Sequence, residues 1–383
     1  MNPNEEKHIR IAFLYLDEIH HVNHFISIAV ELSKLAKVTV LTHPNCQDYF
    51  FESLRAFKPH EVRVEIRKTS AFRAFTDRLK NRVLPRKGFW IKKNLNYIFQ
   101  NFDAVIFTDY FQRYFIEARG NEQMPKLLKI PHGPPGRHYS YREDQREFDF
   151  QVLLGPFHEE QLRKKHLLAE HYAVVGYPKF DAVKTKVAKP VFDNNKPVVL
   201  YNPHFSPPQS SWHKEGLKVL EFFYNQNDFN LIFAPHVNLF TTKGGESSGT
   251  IPAYILEAEH IHIDLGSEKC VDMVYTRLAD IYLGDVSSQV YEFIPETRPC
   301  IFINSEGIDY KDQLEYRFWR CGQVIEKIEE LKGALNQAFI LFEEFKSEQQ
   351  EIDAENFLRS SDQSASEKAA NAIYDYLCIS IEE

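Results

Sequence analysis

The chain has few cysteines, and their spacing excludes several small-domain architectures. Only five cysteines occur among 383 residues, and no two of them form a CxxC pair. No histidine stands at zinc-finger spacing from them. We therefore expect neither a disulfide framework nor a structural zinc site. Scattered, unpaired cysteines are typical of a reduced cytoplasmic compartment.

The chain also lacks an excess of positive charge and a long apolar run. Its formal net charge is −8, whereas proteins that bind nucleic acid broadly use Lys and Arg to neutralise many phosphates. We expect no nucleic-acid partner. No stretch reaches the roughly 18 apolar residues of a membrane span, and the N-terminus MNPNEEKHIR does not resemble a signal peptide. Any membrane contact is therefore expected to be peripheral.

What the chain does have is a regular alternation of short apolar runs with longer segments of helical periodicity. This pattern is typical of α/β proteins, in which helices cover a parallel sheet. It predicts two doubly wound, Rossmann-like domains whose facing strand ends form a cleft. The predicted strands are 9–16, 38–42, 62–66, 104–108, 126–130, 150–155 and 172–176, followed by 198–202, 231–235, 261–264, 280–284 and 299–304.

Composition suggests where the domains begin and end. We assign residues 1–180 to an N-terminal domain, 181–197 to a linker with two prolines, and 198–345 to a C-terminal domain. Residues 346–383 form a helical tail with nine acidic and three basic residues. A solvated helical face is the simplest interpretation of that tail.

The stretch YLGDVSSQVYEF, residues 282–293, predicts a phosphate site. Asp285 is a candidate N-cap for a short helix over 286–294 that Pro295 ends. Free amides at its start, with the Ser287 and Ser288 hydroxyls, favour a phosphate or diphosphate, although an ordinary helix cap has the same composition. Glu292, one turn further on, is a candidate for ribose binding or a solvent-facing glutamate.

Two histidines follow predicted strands in the same way. His132 lies in IPHGPPGRHYSY and His236 in APHVN, and GYPKFD adds Lys179 at the end of the first predicted domain. Single histidines at strand ends are more often structural than catalytic. One from each predicted domain, both directed at the expected cleft, favours a functional role.

The first predicted strand is followed by Asp17, His20, His21 and His24. We predict that these residues bind an acceptor, with a solvated helix start as the alternative. The spacing of His20 and His24 is also that of zinc ligands on a helix. No third ligand of matching spacing is visible, so we predict no metal.

Taken in order, the motifs HG, GYPKFD, LYNPHF, PH, DVSSQVYEF and RPCIF resemble those of bacterial CDP-glycerol glycerophosphotransferases of teichoic acid and capsule synthesis. The resemblance covers residues 130–304. The family pattern reads HG, G-x-P-R-x-D, Y-x-P, a histidine after a strand, and D-Y-S-S followed by F-D and K-P. Here Val286 replaces the tyrosine, Lys179 the arginine, Glu292 the aspartate and Arg298 the lysine.

The resemblance implies a GT-B-like fold and a role for individual residues. His132 would be the general base for an acceptor hydroxyl, and His236 would contact the donor phosphates. Ser287 and Ser288 would hold the diphosphate, with Arg137 and Lys179 as nearby cations. The implied donor is CDP-glycerol or a related CDP-alditol, the implied acceptor is a cell-surface glycan or lipid-linked chain, and no cofactor is required.

Other functions fit the same two-domain plan. A glycosyltransferase that uses a nucleotide sugar would bind its donor at the same helix start. A non-hydrolysing sugar-nucleotide epimerase would need additional carboxylates in the cleft, which the sequence does not place. A catalytically silent nucleotide or glycan sensor would not need the two histidines.

Residues 63–93 form a basic segment in an otherwise acidic chain. They include eleven basic and two acidic residues, interleaved with Phe72, Phe75, Phe89 and Trp90. Such a segment is typical of a helix on an anionic membrane surface. It predicts an enzyme bound peripherally to the inner face of the cell membrane, with an anionic polymer acceptor or a solvated helix as alternatives.

Overall fold

The structure is a computed structural model that describes residues 9–45, 48–80, 82, 84–120, 122–136 and 138–382. The chain divides into two compact units. The first comprises the described residues up to Pro135, then Tyr139–Thr185 and the described residues from Glu355 onward. The second comprises Gly136, His138 and Lys186–Ala354.

Each unit is built on a parallel sheet. The first has seven strands in the order β3-β2-β1-β4-β5-β6-β7, and the second has six in the order β10-β9-β8-β11-β12-β13. The strands are β1 (Arg10–Tyr15), β2 (Lys37–Thr42), β3 (Arg63–Ile66), β4 (Ala104–Phe107), β5 (Lys126–Lys129), β6 (Phe150–Leu153), β7 (His171–Val174), β8 (Val198–Asn202), β9 (Asn230–Phe233), β10 (Ile261–Ile263), β11 (Ile281–Gly284), β12 (Cys300–Ile303) and β13 (Gln323–Ile325).

Helices connect the strands, as parallel pairing requires. They are α1 (Val22–Ser33), α2 (Asp48–Arg55), α3 (Ala71–Leu79), α4 (Lys87–Asn101), α5 (Gln112–Arg119), α6 (Pro156–Lys164), α7 (Pro178–Val183), α8 (Leu217–Tyr224), α9 (Ala253–Leu256), α10 (Glu268–Val271), α11 (Val274–Leu278), α12 (Val290–Phe293), α13 (Leu331–Asn356) and α14 (Ala365–Glu382). Short 3₁₀ turns include Ile19–His21, directly before α1.

The predicted α/β class is confirmed, and each predicted strand is present within one or two residues of its expected bounds. The central strands are apolar runs because helices cover both faces of a parallel sheet. In the first unit Leu14 lies between Leu41 and Phe107. In the second unit Tyr201 lies between Phe233 and Leu283. All six side chains are buried.

The acidic C-terminal segment is helical as predicted, but one of its faces is apolar and buried. Ala369, Ala370, Ile373 and Leu377 of α14 are fully enclosed in the first unit. Asp181, the last residue of the GYPKFD motif, accepts hydrogen bonds from the Ser366 amide at 2.8 Å and the Ser366 hydroxyl at 2.7 Å. This aspartate therefore holds the start of α14.

Candidate functional site

Three imidazoles meet at the carboxyl edge of the first sheet. β1, β4 and β5 are neighbours, so the loops that follow them lie side by side. The rings of His21 and His132 stack with centroids 4.5 Å apart, and the His20 centroid is 4.5 Å from His21 and 6.5 Å from His132. The structure thus brings together three of the predicted site residues.

A backbone carbonyl fixes the tautomer of His132. Its Nδ1 lies 2.7 Å from the Thr108 carbonyl oxygen, which only accepts hydrogen bonds, so Nδ1 carries the proton. Nε2 then presents a lone pair. Burial, the charge of Lys129 and neighbouring His20 lower the pKa of His132 to about 3, so the ring is neutral at physiological pH. In this tautomer Nε2 is the ring nitrogen that can accept a proton, and the hydrogen bond at Nδ1 sets its orientation.

A buried lysine shares the same carbonyl. Lys129 donates to Thr108 O and Ile130 O, each at 2.8 Å, from within β5. Its side chain is only 3% exposed. Burial lowers its pKa to about 7. Lys129 thereby anchors the carbonyl that orients His132.

Asp17, which was predicted from the sequence to bind the acceptor substrate, forms an ion pair within the protein. It pairs with Lys87, which also contacts Asp109 at 3.2 Å. Asp17 is buried, and burial raises its pKa to about 6. This arrangement holds the loops after β1 and β4 to the start of α4.

His20 and His24, whose spacing is that of zinc ligands on a helix, do not lie on one helix face. His20 lies in the 3₁₀ turn Ile19–His21, whereas His24 is buried in α1 beside Tyr177, with ring centroids 5.7 Å apart. Instead, donor atoms of Glu18, His20 and His21 lie within 4.8 Å of one another. If a metal bound in this loop, these residues rather than His24 would be its ligands.

In the second unit, Asp285 is not a helix N-cap, which corrects the prediction. The helix α12 begins only at Val290, and Gln289 is at its N-cap position. The Asp285 carboxylate accepts hydrogen bonds from the His204 amide at 2.9 Å, the Ser211 amide at 2.6 Å and the Ser211 hydroxyl at 2.8 Å. These donors follow β8, so the carboxylate is drawn away from α12.

The two serines after Asp285 differ in their surroundings. Ser287 is buried, and its hydroxyl donates to Asn202 Oδ1 at 2.7 Å. Ser288 is partly exposed, and its hydroxyl has no hydrogen-bond partner among the described residues. Ser288 is thus the serine whose side chain is available to a ligand, whereas Ser287 shapes the loop.

His236 has a second histidine beside it. Its Nδ1 accepts a hydrogen bond from the Asn238 amide at 3.2 Å, so the proton of the neutral ring is on Nε2. His204, after β8, has the same arrangement with the Ser206 amide at 3.1 Å. The two ring centroids are 5.3 Å apart. In both neutral rings the N–H is therefore on Nε2, and an N–H group is the kind of donor that binds phosphate oxygens.

The other residues that were predicted to bind the nucleotide donor do not lie together in one unit. Glu292 is buried within α12 of the second unit. Lys179 is buried in α7 of the first unit. Burial is the main cause of the lowered pKa of His24, and the charge of Lys179 lowers that pKa further. Arg137 lies outside the described residues.

Sequence reasoning missed several polar residues in these two clusters. Thr108 and Asp109 directly follow β4, and His204 closely follows β8, so the rule that identified His132 would also have found them. Lys129 is a lysine inside an apolar strand, which is a recognisable signal of a buried charge. Lys87 gave no such signal, because it is one of many cations in the basic segment.

The family described as CDP-glycerol:poly(glycerophosphate) glycerophosphotransferase matches residues 93–375 of the chain, which is more than half of it. No curated protein matches the full sequence closely enough to be compared.

Solved structures with the same fold cover nearly the whole chain. MnaA from S. aureus, in a co-structure with UDP, has a TM-score of 0.64 at 14% identity over 97% of each chain. The wall teichoic acid polymerase TagF has a TM-score of 0.60 at 14% identity, covering 97% of this chain and 88% of that one. UDP-GlcNAc 2-epimerase from Neisseria meningitidis, bound to UDP-GlcNAc, has a TM-score of 0.58 at 13% identity, over 97% and 99%. At these identities the likeness establishes a GT-B-type fold.

Proposed function

The chain belongs to the CDP-glycerol:poly(glycerophosphate) glycerophosphotransferase family, and from this premise we propose that it adds glycerol phosphate from CDP-glycerol to a hydroxyl of a glycan or lipid-linked acceptor. The observation that carries the proposal is the hydrogen bond from His132 Nδ1 to Thr108 O, which leaves Nε2 as a base. The product would be a teichoic-acid-like polymer or its primer.

The reaction follows from these roles. The acceptor oxygen forms a bond to the phosphorus next to glycerol, and the bond from that phosphorus to the CMP oxygen breaks. CMP leaves with the electron pair, and the hydroxyl proton moves to Nε2 of His132. Phosphoryl transfers of this kind depend on positioning and on stabilising the leaving phosphate. We assign the second task to the donor nitrogens of His204 and His236 and to Ser288.

Turnover of CDP-glycerol tests the activity. The purified protein should release CMP and incorporate labelled glycerol phosphate into a poly(glycerol phosphate) acceptor, with no reaction of UDP-GlcNAc. CDP-glycerol at 100 times its dissociation constant should add about 2.7 kcal/mol to the free energy of unfolding. Turnover of a UDP-sugar with none of CDP-glycerol would contradict the proposal and favour a sugar transferase or an epimerase.

We also propose that the protein binds a membrane through part of the basic segment 63–93. The basic segment is not one helix, because it divides into β3, α3 and the start of α4. Arg86 pairs with Asp77 at 2.8 Å and Lys87 pairs with Asp17, so neither cation is available to a membrane. None of the helices in the described ranges is long and apolar enough to span a bilayer.

One face of α3 is well suited to an anionic bilayer. Phe72, Phe75 and Leu79 are 66%, 59% and 67% exposed and stand at positions i, i+3 and i+7. Arginines on the same helix flank this apolar stripe, including Arg73 and Arg78. Apolar side chains that enter the interface beside cations are the typical combination of a peripheral membrane helix.

The triple variant Phe72→Ser, Phe75→Ser, Leu79→Ser should lose binding to phosphatidylglycerol vesicles in a sedimentation assay. Each large apolar side chain contributes about 1.5–3 kcal/mol when buried, so we expect at least about a hundredfold weaker binding. Phe339→Ser, Ile340→Ser on α13 is the matched control, because these side chains are 51% and 75% exposed. Equal sedimentation of the α3 variant and the control variant would refute α3 as the membrane face.

A further inference from the structure

We propose that a cavity at the carboxyl ends of β2 and β3 binds a phosphate ester of the acceptor, at a distance from the hydroxyl that reacts. The cavity measures about 610 Å³, which is within the usual size range of ligand sites. Its walls come from the loops after β2 and β3, from α3 and from α4, all in the first unit. The inference extends the proposed function and rests on it for the identity of the ligand as an acceptor.

The charge of the lining residues points to an anion. Lys68, Arg78 and Arg82 line the cavity, and none of these three side chains makes an ion pair within the part of the chain that the structure describes. The cavity's carboxylate, Asp77, is neutralised by Arg86 at 2.8 Å, and Arg86 also donates to Thr76 at 2.7 Å. Three uncompensated cations therefore face one space. A guanidinium group can donate two parallel hydrogen bonds to two oxygens of one phosphate, so a phosphate is the favoured anion.

A neutral donor stands beside these cations. The Nδ1 atom of His43 accepts a hydrogen bond from the Asn45 amide at 3.1 Å, so the proton of the neutral His43 ring is on Nε2. Burial lowers the pKa of His43 to about 4, and the ring is therefore neutral at physiological pH. A neutral imidazole N–H adds a hydrogen bond to an anion that the cations attract.

Asn45 and Thr69 add polar groups to the lining, and the rest of the cavity wall is apolar. That apolar wall is formed by Pro44, Ala71, Ala74, Pro85 and Trp90. Inorganic phosphate alone would leave most of this space empty. We therefore infer that the ligand carries carbon beside its phosphate, as a phosphate ester does.

The position of the cavity explains why the ligand would be an acceptor. In the sheet order β3-β2-β1-β4-β5, the cavity follows β2 and β3, whereas His132 follows β5. Neighbouring strands are about 4.8 Å apart, so three to four strand spacings place the two sites roughly 14–19 Å apart. An acceptor with its hydroxyl at His132 would reach the cavity with a remote phosphate. That phosphate belongs either to an earlier unit of the polymer or to the link between glycan and lipid.

Direct binding tests the cavity. Calorimetric titration would use two probes, monomeric dioctanoylphosphatidic acid and a short glycerol phosphate oligomer. Wild type is expected to bind at least one, and Arg78→Gln, Arg82→Gln should weaken that binding at least tenfold. Arg55→Gln, Lys58→Gln, which removes two cations of the same unit that do not line the cavity, should bind as wild type does. Preference for the lipid probe would assign the phosphate to a lipid link, and preference for the oligomer would assign it to the polymer.

The binding results distinguish failure of the cavity from failure of the proposed function. No binding of either probe to wild type, or equal binding by Arg78→Gln, Arg82→Gln, would overturn the cavity alone. In turnover assays the same variant should raise the KM for acceptor at least tenfold and leave the KM for CDP-glycerol unchanged. Probe binding that depends on Arg78 and Arg82 in a protein that does not turn over CDP-glycerol would overturn the function and keep the cavity. Thermal unfolding would confirm that both variants are folded.

Discussion

His132→Ala is expected to lower kcat for glycerol phosphate transfer by about 10²–10⁴-fold, which is the usual contribution of a general base. The variant loses the lone pair on Nε2 that the hydrogen bond to Thr108 O orients. The donor is assigned to the second unit, so the dissociation constant of CDP-glycerol should change less than twofold. Single-turnover kinetics and calorimetry measure the two quantities separately.

The pH profile adds a readout that a purely structural role would not affect. The pKa of His132 is lowered to about 3, so the ring of the free enzyme stays neutral at physiological pH and well below it. We expect kcat/KM to show no acid limb from this residue above pH 5. The negative charge of bound donor favours the imidazolium, so kcat should fall at a higher pH than kcat/KM does.

A matched variant controls for loss of an imidazole as such. His171→Ala in β7 removes an exposed ring that lies beside Tyr376, with centroids 5.0 Å apart. It should retain wild-type kcat. Unchanged kcat in His132→Ala would refute the role of His132 as base, because the hydroxyl would then lose its proton without this imidazole.

The fold was largely predictable because its strands are buried on both faces. Such strands are continuous apolar runs, which a reader of the sequence recognises without knowing their partners. β13 was missed because it has only three residues, Gln323–Ile325, of which only Ile325 is buried. That strand exists because it pairs with β12 through contacts such as Ile303 with Ile325. β13 is therefore recognisable from its tertiary contacts and not from its own sequence.

The positions of the two polar clusters in the fold were predictable from the sequence, but the contacts of their side chains were not. Polar residues after strands located both clusters, since parallel strands place their following loops at one edge. The role given to Asp285 was wrong because its hydrogen-bond donors are 81 and 74 residues away in sequence. The local sequence favoured Asp285 as an N-cap, but in the structure its carboxylate binds donors that follow the neighbouring strand β8. Asp181 also binds a residue that is distant in sequence, because its partner Ser366 is 185 residues away.

Asp285→Ala is expected to lower the free energy of unfolding of the second unit by about 3–5 kcal/mol. The substitution leaves the amides of His204 and Ser211 and the Ser211 hydroxyl without their acceptor in a buried position. A buried donor without a partner costs about 1–3 kcal/mol. Denaturant unfolding monitored by fluorescence measures the loss, because Trp319 donates to the Asp285 carbonyl oxygen at 3.0 Å and reports on this unit.

Two further variants separate the carboxylate from the loop around it. Ser288 lies three residues after Asp285, and its hydroxyl has no hydrogen-bond partner among the described residues. Ser288→Ala should therefore change the free energy of unfolding by less than about 0.5 kcal/mol. The same variant should weaken CMP binding. Asp285→Asn removes the charge and tests the pH dependence. A loss of stability in Ser288→Ala as large as in Asp285→Ala would show that the loop, and not the carboxylate, is what stabilises the unit.

The sign of that pH dependence follows from the pKa of Asp285, which burial raises to about 6 from an ordinary value of 3.8. Between these values the unfolded chain has released a proton that the folded protein still binds. Raising the pH through this window therefore favours unfolding, by at most about 3 kcal/mol for this group at 1.36 kcal/mol per pKa unit. Asp285→Asn should flatten the decline in stability from pH 4 to pH 6. A decline identical to that of wild type would assign the pH dependence to other carboxyl groups such as Asp17, whose pKa burial also raises to about 6.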